Sequence, residues 1–262
     1  GLEEEGYHNY TLEGAIKMNQ ALKSVKDGNS LVILIPEAPY RCGIYPYEAA
    51  TVLSDFYRAH GDSVSITLVD PMPSPIAPLG RSISSFLLQE LEERGINYIP
   101  NSKFQEVRPD SRTVVLSGSE IKYDLLIKVP PPRLPGALAS SEGFAWKQDP
   151  RWTQVTAKGN HPEYSEVYFA GEHSLPPLGV GLAGVFVESL ANAAASNLVA
   201  DMAGGMSPRQ DMQPVSCVGY AGNAGWVGIC ELPFNEQLKK HSMNCYFGGK
   251  YVTLKYFKQA FF

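Results

Sequence analysis

Three short apolar runs, separated by amphipathic stretches, constrain the fold of this chain more than any other feature. Residues 31–35 read LVILI, residues 63–70 read SVSITLVD and residues 96–100 read INYIP. The stretches between them, residues 46–60 and 82–94, carry apolar residues at helical intervals and are each followed by a glycine. This order predicts a β-α-β-α-β unit built on a parallel sheet.

The rest of the chain divides at the proline-rich run PPPRLPG. Before it, alternating apolar and polar residues predict a β-meander that closes on a buried strand. After it, VYFAGEHS predicts one buried strand and an alanine-rich stretch predicts one long helix, too few elements for an independent layer. The predicted class is α/β. The predicted segments are a linker with a lead helix over 1–28, a Rossmann-like three-layer domain over 29–130, the remainder of a second domain over 131–209, and a C-terminal region over 210–262.

Composition and charge exclude several classes of function. The net charge of -5 gives no basic field that would attract a nucleic-acid backbone, so we expect no nucleic-acid partner. No apolar run approaches the roughly 18 residues of a membrane-spanning helix. With 24 glycines and 20 prolines, the chain favours short elements and many turns over a helical bundle.

The turn after the first apolar run contains the first candidate for chemistry. A dinucleotide-binding unit would have G-x-G-x-x-G here, whereas this chain reads PEAPYRCGIYPYE. Proline removes N–H donors and bulky side chains replace the glycines, so we expect negligible NAD(H) binding at this turn. Cys42, beside Arg41 and just before a predicted helix, is placed where thiolate is favoured, although cysteine is also common as a plain core residue.

The other candidate ligands and nucleophiles are less informative. Cys217 lies in PVSCVGYAGNAG, whose glycines predict either a backbone held close to a flat group or a tight irregular turn. Cys230 and Cys245 lack such a context and are interpreted as packing residues. The five histidines are scattered without H-x-x-x-H spacing, so no metal site is expected, and no G-x-S-x-G elbow indicates a serine hydrolase.

Three segments together resemble a known family of flavoproteins. PEAPYRCGIYPYEAA, VYFAGEHSLPP with the glycine-broken helix after it, and PVSCVGYAGNAG are similar to segments of sulfide:quinone oxidoreductases and of the flavoprotein subunit of flavocytochrome c sulfide dehydrogenase. These enzymes have two dinucleotide-binding domains. The resemblance extends from about residue 10 to the C-terminus.

The resemblance implies a site and a cofactor. In the family, a redox-active cysteine pair accepts sulfur from sulfide and passes electrons to FAD, and the matching residues here are Cys42 and Cys217. It also implies that 131–209 is the remainder of the FAD-binding domain. The implied FAD-binding residues are Gly171, Glu172, Pro177 and Gly184.

The sequence departs from the family pattern in three ways that affect FAD binding. Glu172 stands where the family has Asp, and LGVGLAG lacks the lysine of the quinone-type members. The G-x-G-x-x-G half of the FAD domain, and with it a third family cysteine, is not in this sequence. We therefore expect the chain to be part of a longer protein and to need that half to hold FAD in the family manner.

The composition of the C-terminal residues indicates which partners to expect. Residues 239–262 contain five lysines, seven aromatics and no acid, a composition typical of an anionic membrane surface or of a tail packed on another domain. The expected partners are sulfide, a quinone or cytochrome c acceptor, and a membrane surface at this tail. Two further interpretations stay open, a flavin-free α/β binding module and an NADH dehydrogenase-like flavoprotein. The location of the protein stays open among three alternatives: a membrane surface, the cytoplasm and the periplasm.

Overall fold

A computed structural model describes residues 1–175, 183–206, 210–235 and 240–256. A parallel sheet stands at the centre of the first half of the chain and an antiparallel sheet ends the chain. The elements are α1 (Leu12–Leu22), β1 (Ser30–Leu34), α2 (Tyr45–Ala59), β2 (Ser65–Val69), a 3-10 turn (Ala77–Leu79), α3 (Arg81–Glu92), β3 (Asn97–Ile99), β4 (Phe104–Arg108), β5 (Thr113–Leu116), β6 (Ser119–Lys122), β7 (Leu125–Lys128), α4 (Gly136–Ala139), β8 (Thr153–Gln154), β9 (Ser174–Leu175), α5 (Gly184–Met202), β10 (Val215–Ala221), β11 (Ala224–Glu231), β12 (Phe234–Asn235), β13 (Lys240–His241) and β14 (Asn244–Tyr251).

The parallel sheet has the order β3-β2-β1-β7, and β1 pairs in parallel with both β2 and β7. Because side chains alternate along a strand, β1 supplies two different cores. Leu31 and Ile33 pack into the larger core with α2 and α3, whereas Val32 and Leu34 pack into a smaller one. The α/β class and the parallel sheet are confirmed.

The antiparallel meander β4-β5-β6 covers the second face of the parallel sheet. Val107, Val114 and Leu116 from the meander meet the apolar side chains of β1 in the smaller core. The helices, the parallel sheet and the meander therefore form the three layers that the sequence predicts. The domain boundaries at 28, 130 and 209 stay predictions.

The segment after the proline-rich run differs from its prediction. VYFAGEHS was expected to be a buried strand, but it is irregular, with one bridge between Asn160 and Tyr168 before the two-residue strand β9. Its backbone bonds to the preceding loop instead of to a sheet: Phe169 N donates to Gly159 O at 2.9 Å. A strand prediction from apolar content alone cannot detect this competing partner.

Helix α5 is confirmed, with a different buried stripe. Leu198, expected on the apolar face, is exposed, while the neighbouring Asn197 is fully buried. The Asn197 amide is satisfied because its Nδ2 donates to Lys158 O and Gln210 O, and its Oδ1 accepts from Gln210 N. No helix in the described ranges combines the length and the apolar character needed to span a membrane.

The C-terminal region forms the antiparallel sheet β10-β11-β14. PVSCVGYAGNAG is therefore a regular strand and hairpin, and the flat group beside its backbone is the chain's own Trp226, whose ring occupies the place of a side chain at Gly219. Cys230 and Cys245 are buried, as packing residues would be, but they are joined by a disulfide between directly paired positions of β11 and β14. Their interpretation as packing residues alone was wrong.

An ion network joins this sheet to α3. The carboxylate of Glu90, 3% exposed, accepts hydrogen bonds from Lys250 Nζ at 2.6 Å and from Arg94 Nη1 at 2.9 Å. Arg94 also pairs with Asp55 of α2, at 2.9 Å from Nε to Oδ1. One lysine of the predicted membrane-facing tail is thus committed to an internal contact.

A second polar cluster lies where β2 ends. Asp70 is fully buried, and its carboxylate accepts hydrogen bonds from Tyr47 Oη at 2.5 Å, Tyr98 Oη at 2.7 Å and Met72 N at 2.8 Å. Burial raises the pKa of Asp70, and this effect exceeds the lowering by the three hydrogen bonds. The folded state therefore binds the proton of Asp70 more tightly than the unfolded chain does.

We predict that Glu90→Ala lowers the free energy of unfolding by about 3 kcal/mol, because it leaves the Arg94 and Lys250 cations without their shared carboxylate. Glu92→Ala is the matched control, since Glu92 is exposed on the same helix and its change should stay within about 0.5 kcal/mol. Urea denaturation measures both. Equal losses for the two variants would contradict a structural role of the network.

We predict that the stability advantage of the wild type over Asp70→Asn is larger near pH 4 than near pH 7.5. A carboxyl whose folded pKa is raised contributes stability that is present below its ordinary value and is lost as pH rises through the folded value. Denaturation curves across this range measure it. Asp110→Asn, at an exposed turn, is the control. An Asp70→Asn advantage that is constant or grows with pH would refute the prediction.

Candidate functional site

The turn between β1 and α2 positions Cys42. Tyr40 is buried inside this turn, with its Oη 3.2 Å from Gly43 O. Cys42 itself has φ of 49°, in the left-handed region that non-glycine residues avoid, and its carbonyl accepts from Tyr45 N at 2.8 Å. The thiol-bearing residue is thus held in an unfavourable backbone conformation immediately before the first turn of α2, a feature typical of functional positions.

Three tyrosines surround Cys42. Burial raises the pKa of Tyr10 and of Tyr45, and in both cases the nearby charge of a Cys42 thiolate raises it further. The same two effects act on Tyr40, where Asp70 adds a third. The phenols therefore stay protonated near neutral pH, and the hydroxyls of Tyr10 and Tyr40 donate to Arg41 O and Gly43 O. The Tyr45 hydroxyl is buried without a hydrogen-bond partner.

Arg41 differs from its expected role. Its Nε lies 2.8 Å from Glu172 Oε2, and both side chains are about half exposed. Because this charge is paired with a carboxylate, its effect on the Cys42 thiol is weaker than the sequence alone suggests. The pair joins two segments that the sequence analysis selected separately, the Cys42 turn and the Gly171–Glu172 step.

Cys217 reaches the same region from β10. It is buried and lines an apolar cavity of about 20 Å³ together with Gly43 and Ile44, the two residues that follow Cys42. Phe186 of α5 and Cys230 of β11 line the same cavity. The fold thus brings the segments of the two predicted cysteines together, although they are far apart in sequence. A bond between Cys42 and Cys217 stays a prediction.

The predicted FAD-binding positions lie next to this region. Gly171 has φ of 128°, a conformation that favours glycine, and Glu172 is held by Arg41. Gly184 is the exposed first residue of α5, whose N-terminus has no side-chain cap and no acid in its first turn. Pro177 lies outside the described residues. These roles stay predictions.

A cleft of about 610 Å³ opens at the carboxyl edge of the parallel sheet, between Glu37 after β1 and Arg133 after β7. Strand order reverses here, which is where dinucleotides bind in such sheets. The acid that would hold a ribose hydroxyl, Asp70, is instead buried under Tyr47 and Tyr98. In the described ranges, no group of His, Cys, Asp and Glu is arranged to hold a metal ion.

Sequence reasoning missed three features of the site. The Arg41–Glu172 pair and the Cys230–Cys245 disulfide depend on contacts between distant segments and leave no local signal. The third feature, the Asp70 cluster, had an available signal, because an acid at the end of the second strand of a β-α-β unit is the usual ribose-binding position.

Comparisons with known proteins agree with this geometry. Residues 15–130 match the model of the central domain of the "sulfide dehydrogenase [flavocytochrome c] flavoprotein chain". A mitochondrial sulfide:quinone oxidoreductase of Dictyostelium discoideum is 27% identical over 177 residues, which cover 64% of this chain and 38% of that protein. The chain thus spans well under half the length of this curated relative.

Solved structures share the fold. The sulfide:quinone oxidoreductase of the hyperthermophilic bacterium Aquifex aeolicus aligns with a TM-score of 0.77 and 21% identity over 99% of this chain and 63% of that one. An NAD-dependent persulfide reductase of A. fulgidus aligns with a TM-score of 0.58 and 16% identity over 89% of this chain and 41% of that one. The chain is thus similar in sequence to sulfide:quinone oxidoreductase and to the flavoprotein chain of flavocytochrome c sulfide dehydrogenase, and it shares the fold of the solved sulfide:quinone oxidoreductase.

Proposed function

We propose that this chain is part of an FAD-dependent sulfide oxidoreductase in which Cys42 and Cys217 form the sulfur-accepting pair. The observation that carries the proposal is the shared cavity, which Cys217 lines with the two residues that follow Cys42. Two chain segments with no sequence proximity converge there; Cys217 lines the cavity, and Cys42 directly precedes the lining residues Gly43 and Ile44. Relatives named for sulfide:quinone oxidoreductase activity give the substrate class.

The difference in exposure of the two cysteines assigns their roles. Cys42 is half-buried, whereas Cys217 is buried, so hydrosulfide reaches the Cys42 sulfur first. Attack on a Cys42–Cys217 disulfide forms a sulfur–sulfur bond to Cys42 and breaks the bond between the two cysteines. Cys42 then carries a persulfide, and Cys217 leaves with the electron pair as a thiolate.

The environment of Cys42 suits an anionic sulfur. The hydroxyl of Tyr45 is buried without a partner, and the raised pKa of Tyr45 and Tyr10 keeps both phenols neutral at the pH of the reaction. A neutral donor stabilises a sulfur anion, whereas a phenolate would repel it. We infer that these tyrosines hold their protons throughout turnover.

The residues near α5 fit FAD. The N-terminus of α5 has no side-chain cap and carries a partial positive charge, which favours electron-rich groups of a cofactor. Gly171 and Glu172, and Pro177 by resemblance, would hold the cofactor beside it. When bound, FAD supplies the two-electron acceptor that the reduced cysteine pair requires.

The electron acceptor is proposed to be a quinone, in line with the named relatives, with cytochrome c as the alternative. We propose that residues 239–262 contribute a membrane-facing surface. Among their described side chains, Tyr251, Val252 and Tyr256 are exposed, and Lys255 lies beside Tyr256. Aromatic and basic side chains of this kind suit a lipid headgroup region.

We predict that the purified protein binds NADH no more tightly than about 1 mM, because the β1–α2 turn lacks the G-x-G-x-x-G fingerprint and Asp70 is bonded to two tyrosines. Titration calorimetry measures this directly. A micromolar dissociation constant would contradict the assignment and favour an NADH dehydrogenase-like protein.

We predict that Cys42→Ser and Cys217→Ser each slow sulfide-driven flavin reduction by roughly 10³-fold or more, because each removes a sulfur that takes part in covalent chemistry. Ser216→Ala is the matched control, since Ser216 is exposed on the same strand beside Cys217 and should react like the wild type. Anaerobic stopped-flow absorbance of the flavin-loaded protein measures all three. Wild-type rates in either cysteine variant would end the proposal, and a preparation without flavin absorbance would favour a flavin-free binding module.

A further inference from the structure

A glycine opposite Cys217 opens the cavity in front of it. Cys217 of β10 is directly paired with Gly228 of β11, and paired residues of an antiparallel ladder place their side chains on the same face of the sheet. A Cβ atom at Gly228 would lie 3.1 Å from Ile83 Cδ1 and 3.2 Å from Trp226 Cζ3. All four residues line the cavity. A side chain at position 228 would therefore take up the space beside Cys217.

The cavity has room for one small molecule. The centre of a water-sized sphere can move through about 20 Å³ of it, and about 10–15 Å³ is enough to seat one water. Large apolar side chains supply most of its walls: Ile44, Ile76, Leu79, Ile83, Phe186 and Trp226. A buried water needs two to four polar partners, and walls of this kind disfavour it. We therefore expect the cavity to be dry.

The lining also selects against ions. The described residues that line the cavity include no Lys, Arg, His, Asp or Glu. Cys230 is in a disulfide, so Cys217 is the one side chain of this lining that can titrate. Moving an anion from water into such a space costs far more than moving a neutral molecule, because no lining cation compensates for the lost hydration.

We propose that this cavity binds sulfide in its neutral form, dihydrogen sulfide, and excludes hydrosulfide. Dihydrogen sulfide is slightly larger than water, and the S–H group and the sulfur atom form only weak hydrogen bonds, so the molecule loses little on leaving water. The identity of the ligand rests on the proposed function, which makes sulfide the substrate. The preference for a neutral molecule rests on the lining alone.

Binding and reaction then use different protonation states of sulfide. The proposed attack on Cys42 needs hydrosulfide, because the anion is the nucleophile in disulfide exchange. The bound acid therefore releases its proton to solvent on the side of Cys42, which is half-buried and adjoins the lining residue Gly43. Sulfide captured as the neutral acid thus becomes reactive next to the sulfur that it attacks.

Xenon tests the cavity without any sulfur chemistry, because dry apolar cavities of proteins bind it. Xenon NMR of the wild type should show saturable binding. Gly228→Ala should abolish this binding, since the added methyl group fills the space between Ile83 and Trp226. Val227→Ile is the matched control, because Val227 faces the other side of the same strand. Adding Ile83→Val to Gly228→Ala removes the atom nearest the new methyl group and should restore part of the binding, which distinguishes a filled cavity from a misfolded protein.

Competition between xenon and sulfide decides which protonation state binds, and it needs no cavity variant. Cys42→Ser is used so that the proposed acceptor pair cannot react. Total sulfide is titrated one pH unit below and two pH units above the first pKa of dihydrogen sulfide, with xenon alone at both pH values as the control. If the neutral acid binds, half-displacement of xenon needs about 90-fold more total sulfide at the higher pH, the ratio of the two neutral fractions.

Three results would overturn the proposal. The first is a requirement for about tenfold less total sulfide at the higher pH, which is the dependence expected if hydrosulfide binds. The second is no displacement of xenon at either pH, and the third is xenon binding that Gly228→Ala leaves unchanged. These measurements use neither flavin nor turnover, so they stay decisive if the proposed function fails.

Discussion

Asp70, Tyr47 and Tyr40 form the buried contact on which the site depends. The Tyr47 hydroxyl donates to the Asp70 carboxylate and lies 3.4 Å from the hydroxyl of Tyr40. Because Tyr47 is on α2, Asp70 directly follows β2 and Tyr40 is in the β1–α2 turn, this contact fixes the turn against the sheet edge. An unpaired carboxylate at this depth would cost several kcal/mol, so the tyrosines and the carboxylate require one another.

The same arrangement explains why the turn of a dinucleotide-type fold presents a cysteine here. In a β-α-β unit, the turn after the first strand and the acid after the second face a common ligand space. Here Tyr40 occupies the turn and Asp70 is bonded to tyrosines, so neither is available to a dinucleotide. Cys42 is the group that the turn presents, beside the helix N-terminus where an anion is favoured.

The position of Cys217 depends on a different set of contacts. Glu48 of α2 accepts a hydrogen bond from Tyr220 N of β10 at 2.6 Å, and Glu90 of α3 binds Lys250 of β14. Both carboxylates are buried, so each bond tolerates little displacement. The C-terminal sheet is thereby fixed on α2 and α3, which places Cys217 over the residues that follow Cys42.

A structural feature of this chain can be predicted from sequence when the interactions that determine it are local. The β-α-β-α-β unit could be predicted because each of its elements has its own apolar period and its own end signals. The structure of residues 167–173 could not be predicted in this way, because Phe169 N donates its hydrogen bond to Gly159 O rather than to a strand. The Cys230–Cys245 disulfide depends on the register of β14 against β11, and no local sequence pattern indicates that register. The segments of Cys42 and Cys217 are thus visible in sequence only as separate motifs, and the packing of the C-terminal sheet is what shows that Cys217 lines one cavity with Gly43 and Ile44.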